Sequence, residues 1–299
     1  MNAQQRITVA GFKLAWWAGA HFSVATMRRI FSLFAHLLFV IGGTSRKRAQ
    51  FNLARILGVS PSDSRAVASA RNMYQSYFRY WAEMFCLPSM SQPELRALGR
   101  FVNADYVHTV LRQGRGVLVA ATHSGNWDLA GALAADEFGS VTSVAERLEP
   151  VELFDAFVAA RTHLHVEILP HRGGERRPSD VLAERLNEGK VVALATDRDM
   201  SRRGIPATLA GHSIKIPAGP VKLTQETGAA LIPAAVYFDG EVSVMEFFPE
   251  ISTAGQSETD VAQDLVDVFE LLIKRHPENW HMLQQVWLDH PSEWGGRPA

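Results

Sequence analysis

The chain has 299 residues, is 47% hydrophobic and 20% charged, and carries a net charge of −1 at neutral pH. That composition supplies a large apolar core and excludes a disordered chain, and the near-zero charge gives no general field for nucleic acid. The single cysteine, Cys86, excludes an intramolecular disulfide and any cysteine-rich zinc site.

The average charge hides an asymmetry. No acidic residue precedes Asp63, whereas Arg6, Lys13, Arg28, Arg29, Arg46, Lys47, Arg48 and Arg55 give that stretch +8 and leave −9 for the remainder. Phe12, Trp16, Trp17, Phe22, Phe31, Phe34, Leu37, Leu38 and Phe39 are interleaved with these bases. Bases beside aromatics suit helices lying in an anionic membrane interface, at about 1 kcal/mol per base near the surface. The longest apolar run, Ile30 to Gly43, has 14 residues, short of the roughly 20 that cross a bilayer. No small-x-small cleavage site follows it, so a signal peptide is not expected. Residues 1–45 are therefore expected to form amphipathic membrane-associating helices, part of one domain with residues 46–299. They would attach the protein peripherally to the cytoplasmic face of the inner membrane. A pair of core helices with a basic solvated face is the alternative.

The first hundred residues read as helical, with Arg65 to Phe85 the longest periodic stretch, ended by Pro88. After Gly114 the pattern alternates. Strands are expected at Gly116–Thr122, Val141–Val144, Val166–Leu169, Val191–Thr196, Ala230–Phe238 and Val242–Phe248. Helices are expected at Trp127–Phe138, Pro150–Leu164, Ser179–Asn187, Pro217–Thr227 and about Thr259–Lys274. Apolar strands separated by helices predict an α/β fold: a single three-layer domain with a central, mostly parallel mixed sheet flanked by helices, plus the N-terminal amphipathic helices.

In such sheets chemistry sits in loops at the carboxyl ends of strands. Two of those loops are loaded: His123 to Asp128, and Asp197 to Arg203. In Thr122-His-Ser-Gly-Asn-Trp-Asp128 a histidine leaves a buried strand, Gly125 permits a sharp turn, and Asp128 falls in the first turn of the next helix. A carboxylate holding one imidazole nitrogen leaves the other free as a general base near neutral pH. Amides at the helix start could hold an oxyanion. A helix-capping aspartate beside a buried histidine explains the same spacing. Ser124 lacks a Gly-x-Ser-x-Gly frame and is not read as a nucleophile. His163 and His165 lack a third ligand, so no metal site is expected. Cys86, in an apolar stretch, reads as core. His276, His281 and His290, among Trp280 and Trp287, read as packing or interfacial residues.

The His-x4-Asp block resembles that of the glycerolipid acyltransferase superfamily. Its Ser-Gly-Asn-Trp filling is similar to the branch of lipid A late acyltransferases and phosphatidylinositol mannoside acyltransferases. Tyr77-Phe-Arg-Tyr-Trp-Ala-Glu83, Val144-Ala-Glu-Arg-Leu148, Glu167-Ile-Leu-Pro170 with Gly173-Gly174, and Asp197-Arg-Asp-Met200 fit in order, over about residues 50 to 290. The resemblance implies direct acyl transfer from acyl-CoA, with palmitoyl the expected chain, to a mannose hydroxyl of a phosphatidylinositol mannoside. Acyl-CoA is then a co-substrate, and no cofactor or nucleic-acid partner is expected. His123 is the implied base, with Asp128 and Asp197 both candidates to orient it. Arg161, Arg203 and Glu226 are implied donor-site residues; Arg147, which follows the Val141 strand, and Glu146 in the same block are further candidates for binding substrate, and Arg147 and Arg161 read equally as surface charges. A lipid A precursor or lysophospholipid acyltransferase, a lipid or thioester hydrolase, and a non-catalytic lipid-binding protein are the competing readings.

Overall fold

A computed structural model describes residues 3–199, 201 and 203–296. The amino-terminal part is helical: α1 (Ala3–His21), α2 (Val24–Ile41), α3 (Thr44–Leu57), α4 (Ser64–Met84) and α5 (Gln92–Leu98). Local chemistry sets these boundaries. The Ser23 side chain accepts from the Thr26 amide at the start of α2, and Asp63 does the same for Arg65 at the start of α4. Gly58 ends α3 in the left-handed conformation.

Strands and helices then follow as β1 (Gly99–Val102), α6 (Asp105–Arg112), β2 (Val117–Ala121), α7 (Trp127–Phe138) and β3 (Val141–Ala145). They continue through α8 (Val151–His163), β4 (Val166–Pro170), α9 (Pro178–Asn187) and β5 (Val191–Ala195). The chain closes with β6 (Ile205–Leu209), β7 (His212–Ile216), α10 (Ala218–Thr227), β8 (Ala230–Asp239), β9 (Val242–Phe247) and α11 (Glu258–Arg275).

Among the described residues seven strands form one sheet in the order β1-β9-β8-β2-β5-β3-β4, parallel except for the β8–β9 pair. The period-2 pleat sends Leu118, Ala120, Val192 and Leu231 to a core built with α3, α4, α9, α10 and α11. Val117, Val119, Val191 and Ile232 point to the opposite core, under α6 and α7. This is the expected α/β architecture, a mostly parallel mixed sheet covered on both faces. Two features depart from the sequence reading. β1 lies within the stretch read as helical, and β6–β7 form a separate antiparallel hairpin packed on α11 where no element was expected. Both are short, and each takes its order from a partner far along the chain: β1 from β9, the hairpin from α11.

The amino-terminal helices do not stand apart. Met27, Ala35 and Phe39 of α2 are buried, Ser32 Oγ donates to Gln75 Oε1 at 2.7 Å, and Arg28 pairs with Glu83 of α4. The other face of α2 carries Leu33 (74% exposed), Phe34, Leu37, Leu38 and Ile41 (68%) to solvent. The helix is longer than its 14-residue apolar run: 18 residues of mean hydropathy 1.6, long and apolar enough by composition to cross a membrane. With one face packed along α4, however, it presents only a one-sided apolar stripe.

Candidate active site

β2 and β5 are adjacent and parallel, with Ala121 in register with Ala195, so the loops after them emerge side by side. That register brings His123 and Asp197 together although 74 residues separate them. Asp197 Oδ1 lies 2.6 Å from His123 Nδ1, and the His123 backbone N–H donates to Asp197 Oδ2 at 3.0 Å. The Trp280 indole N–H donates to the same Oδ2 at 2.8 Å. Asp197 is buried, whereas the His123 side chain is 39% exposed, so the ring is braced from behind and open in front.

The electrostatics follow from this arrangement. Burial opposes a charged imidazole, but the adjacent Asp197 carboxylate and its hydrogen bond outweigh that penalty, and the His123 pKa is raised above the ordinary 6.5. Burial likewise opposes charge on Asp197, yet His123, Trp280 and the His123 amide together hold its pKa below the usual 3.8. A carboxylate on Nδ1 fixes the neutral ring with its proton there and leaves Nε2 as the basic nitrogen.

Asp128 does not reach His123. Its Oδ1 accepts from Arg161 Nε at 2.6 Å, and its Oδ2 accepts from Tyr80 OH at 2.8 Å and from Arg161 Nη2 at 3.2 Å. Of the two aspartates left open by the sequence, geometry gives Asp197 to the histidine and makes Asp128 the anchor between α4, α7 and α8. Arg161 is correspondingly held by Asp128 through Nε and Nη2, with its side chain 20% exposed.

The loop itself is clamped. Gly125 has φ +57°, and a Cβ there would lie 2.6 Å from the Val236 carbonyl, so only glycine fits. Its N–H donates to Asn279 O at 3.1 Å, while the His281 N–H donates to His123 O at 2.8 Å. Asn126 Oδ1 accepts the Leu129 N–H to cap α7, and Asn126 Nδ2 donates to buried Glu83 at 2.7 Å. Ser76, Tyr80 and Glu83, spaced one helical turn apart on α4, thus grip the segment at residues 279–281, Asp128 and Asn126 respectively. The Tyr77–Glu83 block singled out in the sequence has this physical meaning. His281, read there as a packing or interfacial residue, and its neighbour Trp280 back the site on the side of Asp197 and the His123 carbonyl. Buried His281 is pushed down to about 3 by desolvation and by nearby His123, so it stays neutral.

After β5, Asp199 shapes the second loop by accepting the Ser201 and Gly204 amides at 2.9 and 3.0 Å. Arg203 is exposed on this loop, and Arg147 and Glu146 are exposed just after β3, all on the carboxyl side of the sheet. Glu226 is not brought there. It lies near the end of α10, whose following Gly228 carbonyl accepts from Arg115, at the start of β2. Seven residues of extended chain, roughly 20 Å, separate that edge from His123. The fold thus sets Glu226 toward the opposite edge of the sheet from His123. Among the described residues no group of three or more His, Cys, Asp or Glu side chains is placed to hold a metal ion.

A parallel sheet with a carboxylate-braced histidine at a strand-to-helix turn defines a lipid acyltransferase scaffold: residues 5–289 match the bacterial lipid A biosynthesis acyltransferase family, and the chain belongs to it. It is also similar to the phosphatidylinositol mannoside acyltransferase of Mycolicibacterium smegmatis, 38% identical over 288 residues that cover 96% of this chain and 94% of that one. The protein of the same name from Mycobacterium tuberculosis (strain CDC 1551) is 38% identical over 287 residues, covering 94% and 89% of the two chains. The blocks quoted from the sequence therefore belong to a co-linear match along nearly the whole chain, and the protein is an acyltransferase.

Proposed function

We propose that this protein transfers a long-chain acyl group, palmitoyl in the first instance, from acyl-CoA to a mannose hydroxyl of a phosphatidylinositol mannoside. The relatives that align along nearly the whole chain are named for that acceptor, and the motif blocks resemble those of enzymes that use acyl-CoA. His123 Nε2 removes the hydroxyl proton as the oxygen attacks the thioester carbonyl, and Asp197 stabilises the imidazolium that forms. Positioned proton transfer of this kind is worth about 10²–10⁴ in rate. First-turn amides of α7 other than those of Leu129 and Ala130, which bond Asn126, would receive the developing oxyanion, with the charge of Asp128 in that turn offset by Arg161. The thiolate of coenzyme A leaves and takes the proton from His123, so the step balances without a covalent enzyme intermediate. Arg147 and Arg203, with Glu146 beside them, are the exposed groups on this edge that suit the donor's phosphates.

The exposed stripe of α2, beside a basic segment without acids, would seat the protein on the cytoplasmic face of an anionic inner membrane, where acceptor lipid resides. The carrying observation is the 2.6 Å contact between Asp197 Oδ1 and His123 Nδ1 on a half-open ring. The test supplies labelled palmitoyl-CoA with mannosylated phosphatidylinositols, a lipid A precursor and lysophosphatidic acid. Label on the mannosylated lipid, lost in His123→Ala, supports the proposal. Label on another acceptor moves the substrate class, and release only as free fatty acid makes the protein a hydrolase.

A further inference from the structure

The Asp197 carboxylate is 2% exposed and is held by N–H donors alone: the ring and backbone of His123, and Trp280. A carboxylate turns easily about its last side-chain torsion, so hydrogen bonds decide which oxygen faces which partner. Here Oδ1 goes to the ring, and Oδ2 is shared between the His123 amide and the Trp280 indole. The indole is itself immobile. Trp280 is 1% exposed, pairs with Ser124 in an isolated bridge, and lies between Asn279 and His281, which bind the Gly125 amide and the His123 carbonyl. Hydrophobic packing alone would ask only for a large ring at position 280. It would not ask for an N–H aimed at a buried carboxylate.

We propose that Trp280 is a positioning residue for the reaction: its indole N–H locks Asp197 so that Oδ1 stays on His123 Nδ1 and Nε2 faces the acceptor hydroxyl. The inference rests on the acyl-transfer reading above. Among the described residues, the charged or titratable groups around His123 lie on separate elements. Asp197 and Arg198 come from the loop after β5, His281 from the segment after α11, and the Asp128–Arg161–Tyr80 cluster from α7, α8 and α4. Of these, Asp197 alone touches the ring nitrogen, so a change in its hydrogen bonding is felt directly at His123. Without the indole N–H the carboxylate becomes more basic and grips the imidazolium more tightly, and it is freer to turn.

The test uses the full chain with Trp280 replaced by 3-benzothienylalanine, which keeps the two-ring shape and has sulfur in place of N–H. Trp280→Phe is made in parallel. The expected result is a kcat lower by roughly 10- to 100-fold, the loss of one hydrogen bond to a charged group. KM for acyl-CoA should stay within about twofold, because no donor contact is removed. The acid limb of the pH–rate profile should move to higher pH, and the ¹⁵N resonances of the His123 ring should titrate higher by the same amount. Identical limbs and identical ring titrations in the parent and the benzothienyl protein overturn the proposal, and a folding defect confined to Trp280→Phe leaves the decision to the benzothienyl protein. If the parent transfers acyl groups to no acceptor while the ring titrations differ, the acyl-transfer reading fails and the bracing role stands. If the titrations coincide, the bracing role fails whatever the activity.

Discussion

The division of labour between the two aspartates is open to a direct perturbation, Asp128→Asn. The side chain of Asp128 is 5% exposed and that of Arg161 is 20% exposed, and the substitution leaves the guanidinium without its counter-charge while keeping the shape of the site. Removing one member of a buried ion pair costs about 3–5 kcal/mol, and the residual solvent at Arg161 puts this case near ~3. An unfolding entropy of about 2.1 cal/mol/K per residue gives this chain near ~0.63 kcal/mol/K, so the expected drop in Tm is about 5 °C. Adding Arg161→Met removes the stranded cation and should recover part of that loss, a coupling read from a double-mutant cycle. Scanning calorimetry gives the Tm values, and the pH dependence of acyl transfer on the folded fraction gives the second readout. Asp128→Asn should leave the acid limb where it is. A variant that melts within about 1 °C of the parent, or one that moves the limb as far as an Asp197 substitution does, would refute the assignment of Asp128 to the scaffold.

Asp197→Asn is expected to do the opposite: the rate falls by about 10²–10⁴ while binding of acyl-CoA persists. The base must be neutral to act, and Asp197 raises the His123 pKa, so the parent's activity should climb with pH through a value above 6.5; with the carboxylate gone, burial and the nearby Arg198 charge remain and the limb should fall to or below 6.5. Gly125→Ala combines a left-handed φ with a Cβ 2.6 Å from the Val236 carbonyl and should lower stability by about 2 kcal/mol or more, with activity lost beyond the unfolded fraction; full activity at unchanged Tm would contradict the close approach. Changing Leu33, Phe34 and Leu37 together to Ser removes three exposed apolar side chains, at about 1 kcal/mol each for partial burial, so partition onto anionic vesicles should weaken roughly 100-fold, and unchanged sedimentation would remove the anchoring role. These substitutions are cleaner than deleting residues 1–45, which also strips Met27, Ala35, Phe39 and the Arg28–Glu83 pair from the body of the protein. Burial, with Glu83 nearby, pushes the Cys86 thiol up to about 11, so the native protein should resist iodoacetamide at pH 8, and rapid alkylation would place Cys86 outside the core.

The sheet was legible because β2, β5 and β8 are apolar on both faces, a pattern that helices of this length do not sustain. β1 and the β6–β7 hairpin were not, since each is held by an element more than forty residues away and carries no period of its own. His123 stood out as a histidine at a strand end before a glycine turn, and Asp197 as an acid at the end of the neighbouring strand. Which acid meets the ring depends on strand order, and strand order is a property of pairing that no local spacing records. Arg161 and Glu226 show the same dependence on tertiary placement: one is paired with a residue 33 positions earlier, and the other is carried by its helix toward the edge of the sheet where β8 begins. Trp280 left the faintest trace. Its only signal was a tryptophan between Asn279 and His281, three hydrogen-bonding side chains in a row inside a buried stretch.

The 83 residues between Asp197 and Trp280 carry a temporal consequence. Synthesis runs from the amino terminus, and domains condense as they emerge. A nascent chain that has reached residue 200 already contains His123 and Asp197 on paired strands, yet the indole that braces the carboxylate and the amide that fixes the His123 carbonyl are still unmade. On the proposed reading, acyl transfer reaches its full rate only after the segment that follows α11 has been made and has docked behind Asp197.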